Sequence, residues 1–182
     1  MAEFKRWLRE SAFGTVDFAP NEDLGRSAEG QDEVARECGV VRWLKSPSEI
    51  GDLTARWAGS PLDPSHSEHW YAQLAGMLKR GDPVGWSPAF DVSKINWRRS
   101  QKWTQGQLID TANRVLVAKG RPTVGELSEL RGSGDQFRGA IPPVVIQWWE
   151  GVLTPQDGNH RCGLAQVTGL NTVPAFVHVA ML

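Results

Sequence analysis

Apolar positions in the second half of the chain alternate between the spacing of strands and the spacing of helices. The pattern predicts, in order, a strand in AFDVSKINW, a helix in TQGQLIDTANRVLVAKG, a strand in PPVVIQWW, a short helix in GNHRCGLAQVTG and a final strand in TVPAFVHVA. Because strands and helices alternate, this half is expected to form an α/β fold around a small mixed sheet.

In the first half of the chain, the spacing of apolar residues is interrupted repeatedly and shows no long regular period. Near-helical spacing predicts short helices in MAEFKRWLRESAF, GQDEVARECGVVRWL and SPSEIGDLTARWAG, and a clearer one in DPSHSEHWYAQLAGMLKRGD. Ser46 or Ser48 is expected to cap the third helix, with Glu49 in its first turn. We therefore divide the chain into a helical amino-terminal extension, residues 1–88, and a compact α/β domain, residues 89–182.

Composition is that of an ordinary globular protein. The 182 residues are 40% hydrophobic and 23% charged, and 20 Lys and Arg against 21 Asp and Glu give a formal net charge of −1. Any binding of nucleic acid must therefore come from a local patch. Cys38 and Cys162 have no metal-like spacing, no signal-peptide pattern opens the chain, and no apolar run reaches the roughly 20 residues of a membrane span. We expect a cytoplasmic protein with no transmembrane segment.

The densest group of hydrogen-bonding residues is the stretch QDGNHR, expected between the strand PPVVIQWW and a helix that begins near Arg161. The N–H groups of Asn159 to Cys162 are then expected to be helix-start donors without partners. Gly158 permits close approach, Arg161 offers a fork that matches two phosphate oxygens, and His160 can donate a hydrogen bond. The turn suits a polyphosphate, and a polar loop with a solvated Arg161 fits the spacing equally well.

Trp97 and Trp103 bracket the basic stretch RRSQK. Aromatic side chains interleaved with basic groups are typical of surfaces that stack on unpaired bases. Packing in the core is the ordinary role of Trp and is the alternative here.

Several features of the second half resemble the ParB/sulfiredoxin superfamily. The segment IPPVVIQWWEGVLTPQDGNHRCGLAQVTGLNTVPAFV is similar to its closing part: a strand after a Pro pair, a turn of the type G-x-H-R, a short helix, a glycine and a final strand. VSKINWRR resembles the opening strand, and QLIDTANRV resembles the helix in which sulfiredoxins use a Leu-x-Asp-Thr stretch to hold a nucleotide. The resemblance covers about Phe90 to Val179 and implies a compact mixed-sheet domain of this type.

Members of the superfamily bind a nucleoside triphosphate or its products with this turn. They use it for sulfinate repair, CTP-gated clamping on DNA, phosphorylation of a small amino acid or DNA cleavage. The resemblance implies ATP as the ligand. The residues implied to hold it are Gly158, Asn159, His160, Arg161, Asp110 and Thr111.

Departures from two branches of the superfamily, the sulfiredoxins and the centromere-type ParB proteins, narrow the expected activity. Asn159 stands where sulfiredoxins have their nucleophilic Cys, and Cys162 lies on the other side of Arg161, where we expect a small core residue. The ParB clamp glutamate is absent from the turn, and no helix-turn-helix segment follows. These departures argue against sulfinate reduction and centromere-type ParB function. With its helical amino-terminal extension and its D-G-N-H-R turn, the chain resembles the plasmid-encoded fertility-inhibition factors, which combine ATPase and DNase activities in this fold.

Hydrolysis of a phosphate ester needs charge neutralisation and an activated water, most simply from a divalent ion held by carboxylates. Asp157 beside the turn is the first candidate ligand for Mg²⁺, and Glu150 and Glu126 are weaker ones. His160 is a candidate general base or acid. Together with Arg161 and Asp157 it forms the predicted catalytic group of an ATPase and metal-dependent DNase.

The plainest basic stretch, NWRRSQKW, contains Arg98, Arg99 and Lys102. Arg131 and Arg138 from a Gly-rich loop are expected to join them in a positive rim around the turn. Such a rim would attract a nucleic-acid backbone with a steep salt dependence. Arginines of an ordinary surface, balanced by neighbouring acids, are the alternative.

The resemblance also implies a biological role and partners. The fertility-inhibition factors block transfer of a DNA strand through a conjugation-type (type IV) secretion system. Expected partners are DNA, including single-stranded transfer DNA, and the coupling protein or relaxase, which would bring a cytoplasmic protein to the inner membrane. Two alternatives remain: a small-molecule kinase of the same fold, and a non-catalytic, nucleotide-dependent binding module.

Overall fold

Six α-helices and five strands form the described part of the chain, residues 27–62, 67–98 and 103–180, in the computed structural model. In chain order they are α1 (Ala28–Cys38), β1 (Arg42–Trp43), α2 (Ser48–Thr54), α3 (Ser67–Lys79), β2 (Val84–Asp91), α4 (Gln105–Ala118), α5 (Gly134–Phe137), β3 (Val144–Trp149), β4 (Val152–Asp157), α6 (Asn159–Thr168) and β5 (Thr172–Val179). The predicted α/β class is confirmed. The helix predicted in MAEFKRWLRESAF lies outside the described residues.

The five strands form one mixed sheet in the order β1-β2-β5-β3-β4. Strand β5 is central and pairs with β2 in the antiparallel and with β3 in the parallel direction. Strands β3 and β4 form an antiparallel hairpin, in which Trp149 lies opposite Val152 and Val145 opposite Asp157. The end of β4 therefore lies beside the beginning of β3.

Helices cover both faces of this sheet. Alternate residues of β5 point to opposite faces, so that Val177 joins one buried cluster and Phe176 the other. The Val177 cluster contains residues of α1, α4 and α6, whereas the Phe176 cluster contains Ile50 of α2 and Leu74 of α3. The amino-terminal helices α2 and α3 thus complete the core on one side of the sheet. No helix of the described ranges has the length and apolarity required to cross a membrane.

The predicted strand in AFDVSKINW is misplaced by several residues. Strand β2 begins at Val84 and ends at Asp91, whose carboxylate accepts the N–H of Ser93 at 2.9 Å and starts a 3₁₀ turn. The predicted boundary at 88/89 lies within this strand. Pro88 belongs to a bulge between Ser87 and Phe90, which is how the strand accommodates a residue without an N–H.

The predicted serine cap of α2 is wrong. Pro47 is the N-cap residue, and neither Ser46 nor Ser48 caps the helix. Instead the carboxylate of Glu49, correctly expected in the first turn, accepts the N–H groups of Lys45 at 2.8 Å and Ser46 at 3.1 Å. These hydrogen bonds, that from Lys45 first, lower the pKa of Glu49.

Helices α3, α4 and α6 and strands β3 and β5 lie where the sequence pattern predicts them. Two strands were not predicted: the two-residue β1 and the whole of β4. The QDGNHR turn therefore follows β4, the returning strand of a hairpin, and does not follow β3 directly.

Candidate functional site

The turn between β4 and α6 depends on a glycine. Gly158 is the N-cap residue of α6 and has φ 89° and ψ 24°, in the left-handed region. A Cβ atom at this position would lie 2.5 Å from Cγ1 of Val144 and 3.1 Å from Nε of Arg161. The backbone thus passes directly over β3 and the Arg161 side chain, an approach that a residue with a Cβ atom cannot make.

Helix α6 begins at Asn159, two residues before the predicted start near Arg161. The N–H of Cys162 donates to the carbonyl of Gly158 at 2.8 Å, so the prediction of an unpaired donor at Cys162 is wrong. The helix runs for ten residues, and its N-cap residue provides no side-chain hydrogen bond. The positive end of the helix dipole is therefore directed at the turn.

Arg161 points into the protein, where only 5% of the residue is exposed. Its Nη1 donates to the carbonyls of Pro142 at 3.2 Å and Pro143 at 2.7 Å, and its Nη2 donates to Oδ2 of Asp157 at 2.6 Å. The guanidinium thereby joins the segment before β3, the end of β4 and the first turn of α6.

The other turn residues face different surroundings. Asp157 is 13% exposed at its side chain and forms the ion pair with Arg161. His160, the next residue but one after the N-cap, is exposed. The Oδ1 atom of Asn159 is buried and has no hydrogen-bond partner within the described ranges. The turn thus exposes His160 to solvent, whereas the charges of Asp157 and Arg161 neutralise each other below the surface.

Asp110 and Thr111 lie on α4. Thr111 is buried, and its hydroxyl donates to the carbonyl of Gln107, one helical turn earlier, at 2.6 Å. Asp110 is exposed and lines a shallow depression of about 570 Å³ on the outer side of α4. The residues that line it with Asp110 are Pro61, Asn113, Arg114 and Val117.

The two predicted metal ligands lie at opposite ends of β4. Glu150 occupies the β3–β4 hairpin turn with φ 48°, whereas Asp157 ends the strand. A strand of six residues separates them by roughly 20 Å. Among the described residues, no group of three or more His, Cys, Asp or Glu side chains is placed to hold a metal ion.

The predicted basic rim is only partly described. Arg98 is exposed, and its backbone N–H donates to Oδ1 of Asn96 at 3.1 Å. Arg138 is exposed and forms an ion pair with Asp135 at 3.0 Å. Arg99 and Lys102 lie outside the described residues.

Trp97 and Trp103 pack against each other and against the core. Their ring centroids are 6.3 Å apart with the planes at 82°. Gly163 of α6 has no Cβ, and the indole of Trp103 occupies the space that a Cβ would need. The indoles are thus partly buried packing groups, and they hold Arg98 on a segment anchored to α6.

Cys162 is the small core residue that the sequence predicts. It is completely buried, and burial raises the pKa of its thiol to about 12. Burial likewise raises the pKa of Cys38 to about 12. Neither thiol has the thiolate character that nucleophilic chemistry requires.

Tyr71 is a residue of the site that the sequence did not indicate. Its hydroxyl donates to the carbonyl of Pro143 at 3.2 Å, the carbonyl that also accepts from Arg161. The Pro pair was the available signal for backbone acceptors at this place, because proline has a carbonyl but no N–H and so offers acceptors only.

A scan against protein-family models and searches of curated proteins and of solved structures found nothing that matches this chain.

Proposed function

We propose that the chain binds a nucleoside triphosphate, with ATP as the expected ligand, at the turn formed by Gly158, Asn159 and His160. The observation that carries the proposal is the left-handed glycine at the start of the ten-residue helix α6. Such a start combines close backbone approach, first-turn N–H groups and the positive end of the helix dipole, which together favour phosphate.

We further propose that the bound nucleotide is hydrolysed and that DNA is cleaved at the same turn. The exposed imidazole of His160 would exchange a proton with the attacking water or the leaving oxygen. Asp157 and Glu150 do not form a joint metal site, so the proposal uses no ion held by the protein alone. Mg²⁺ would arrive on the phosphates, as it commonly does with nucleotides.

The biological proposal rests on the resemblance to plasmid fertility-inhibition factors typified by Osa. Exposed Arg98, on a segment anchored to α6 through Trp103, supports attraction of a DNA backbone, whereas the charge of Arg138 is balanced by Asp135. We propose that the chain blocks passage of the transferred strand, acting with the coupling protein or relaxase of a conjugation system.

A second candidate is a nucleotide-dependent binding module that does not turn over. The observation that favours it is the pairing of Asp157 with Arg161, which leaves the carboxylate engaged with a cation of the protein itself. Such a module would bind ATP at the same turn and act on a partner through the bound state alone.

The two candidates are separated by one set of assays. ATP binding, phosphate release and cleavage of single-stranded and supercoiled DNA would be measured with Mg²⁺ for the wild type, His160→Ala and His69→Ala. His69 is an exposed histidine of α3 and serves as the matched control. Loss of both activities in His160→Ala alone supports the hydrolase. ATP binding without either activity in the wild type supports the module, and absence of ATP binding overturns both.

A further inference from the structure

We infer that Arg161 is a positioning residue that holds the turn in shape and that it does not bind the phosphate. This inference rests on the proposed function, and it gives the contacts with the anion to Gly158, Asn159 and His160. It departs from the role that the G-x-H-R resemblance implies for the arginine.

The guanidinium of Arg161 is directed into the protein. Arg161 is 5% exposed, and its Nη atoms donate to two carbonyls and one carboxylate at 2.6 to 3.2 Å. Rotation towards a phosphate would leave the Pro143 carbonyl and the Asp157 carboxylate without this buried donor. A buried charge that loses its partner is strongly destabilising.

These contacts also fix the parts of the turn relative to one another. Asp157 precedes Gly158 and Arg161 follows it, so their ion pair at 2.6 Å closes a loop around the glycine. The hydrogen bonds to Pro142 and Pro143 then attach this loop to the segment that leads into β3. The direction of the first N–H groups of α6 is set by this closure.

The same set of contacts continues into the amino-terminal part of the chain. The hydroxyl of Tyr71 in α3 donates to the Pro143 carbonyl at 3.2 Å, and its ring meets Phe176 of β5 edge-on at 5.7 Å. We call the group Asp157, Arg161, Pro143 and Tyr71 the brace. Through the brace, α3 acts on the phosphate turn without touching the anion.

The two possible roles of Arg161 predict opposite results for Asp157→Asn. If Arg161 bound phosphate, removal of the Asp157 carboxylate would free the guanidinium for the phosphate. It would also remove a negative charge close to the phosphate, so ATP would bind more tightly. If Arg161 positions the turn, the substitution opens the loop and weakens binding. A loss of about tenfold is expected for one charged hydrogen bond.

The experiment compares Asp157→Asn and Tyr71→Phe with Asp135→Asn as the matched control. Asp135 also pairs with an arginine, Arg138, but on the exposed surface, so its substitution changes the net charge equally without touching the brace. ATP affinity is measured by calorimetry between low and physiological salt. We expect Asp157→Asn to bind ATP about tenfold more weakly than the wild type. Tyr71→Phe should also bind ATP more weakly, with an unchanged dependence of the affinity on salt. Asp135→Asn should bind ATP within about twofold of the wild type.

A second readout needs no ligand and so separates this inference from the proposed function. The amide of Cys162 donates to Gly158 across the turn, and its hydrogen exchange reports opening of the first turn of α6. We expect faster exchange at Cys162 in Tyr71→Phe than in Asp135→Asn or the wild type, with or without ATP. Tighter ATP binding by Asp157→Asn, or unchanged exchange at Cys162 in Tyr71→Phe, would overturn the inference. A wild type that binds no ATP while the exchange result holds would overturn the proposed function only.

Discussion

Helices α4 and α6 pack against each other, yet their first turns are built differently. At α4, the hydroxyl of Thr104 accepts the N–H of Gln107 at 3.3 Å, and the Gln107 side chain accepts the N–H of Thr104 at 2.8 Å. This capping box satisfies the start of the helix from its own sequence. At α6, the corresponding residue is Gly158, which provides no side-chain hydrogen bond.

An external anion would bind more favourably at the start of α6 than at the starts of α1 and α4. First-turn N–H groups need acceptors, and α4 supplies them locally, as does α1 through the hydroxyl of Ser27. Helix α6 instead begins with a glycine that admits close approach. A helix that completes its own cap gains little from a phosphate, whereas a helix that begins with glycine leaves that position to a ligand.

Replacing Gly158 by Ala should have the largest effect. Left-handed strain of about 1–2 kcal/mol adds to overpacking against Val144, so we expect unfolding in urea to show a loss of about 3 kcal/mol. ATP binding should be lost with it. Gly169→Ala is the control, because Gly169 ends the same helix with φ 78° and open space around it. Its expected loss is about 1–2 kcal/mol, the left-handed strain alone, and equal losses for the two variants would contradict the close approach at Gly158.

Replacing Gly163 by Ala tests how α6 meets the segment before α4. The new methyl group would displace Trp103, and we expect a loss of about 2 kcal/mol in the free energy of unfolding. Gly106→Ala in α4 is the matched change, since no atom lies within 4 Å of its Cβ position. That variant should be more stable by about 0.5–1 kcal/mol. Stabilisation by both substitutions would show that the position of the Trp103 indole does not depend on the missing Cβ atom of Gly163.

Replacing Thr104 by Ala removes the capping box of α4. We expect a loss of about 1 kcal/mol in the free energy of unfolding, the usual value of an N-cap side chain. ATP affinity should stay at the wild-type value, because this cap is not part of the turn at Gly158. A drop in ATP affinity comparable to that of Gly158→Ala would mean that the two helix starts act as one site.

The smallest effect concerns the buried thiol of α6. Burial raises the pKa of Cys162 from 9.0 to about 12, so the folded state keeps its proton where the unfolded chain begins to lose it. The resulting stabilisation is complete below pH 9 and declines as the pH rises from 9 towards 12. Urea unfolding of the wild type and Cys162→Ala across this range should show the steeper decline in the wild type. Parallel pH profiles would contradict the assignment.

The sequence pattern predicted the elements whose apolar spacing is regular and missed those whose spacing is not. Strand β4 reads VLTPQD, with a proline that a central strand would not tolerate. Pro155 is accommodated because β4 is an edge strand with one hydrogen-bonded neighbour. Strand β1 has two residues and carries no periodicity at all.

The candidate site was predictable only where it is local. Gly158, Asn159 and His160 are adjacent, and their grouping at a helix start could be read from the chain. The burial of Arg161 could not, because its acceptors Pro142 and Pro143 are brought to it by the β3–β4 hairpin. The separation of Glu150 from Asp157 has the same origin, since it depends on a strand that the pattern did not reveal.

The central place of β5 has a consequence for synthesis of the chain. Strands β2 and β3 are both neighbours of β5, which is formed by residues 172–179. Until those residues leave the ribosome, the β1–β2 pair and the β3–β4 hairpin have no common partner. A nascent chain that stops short of them would expose two unpaired strand edges, the kind of surface that chaperones bind and that drives aggregation.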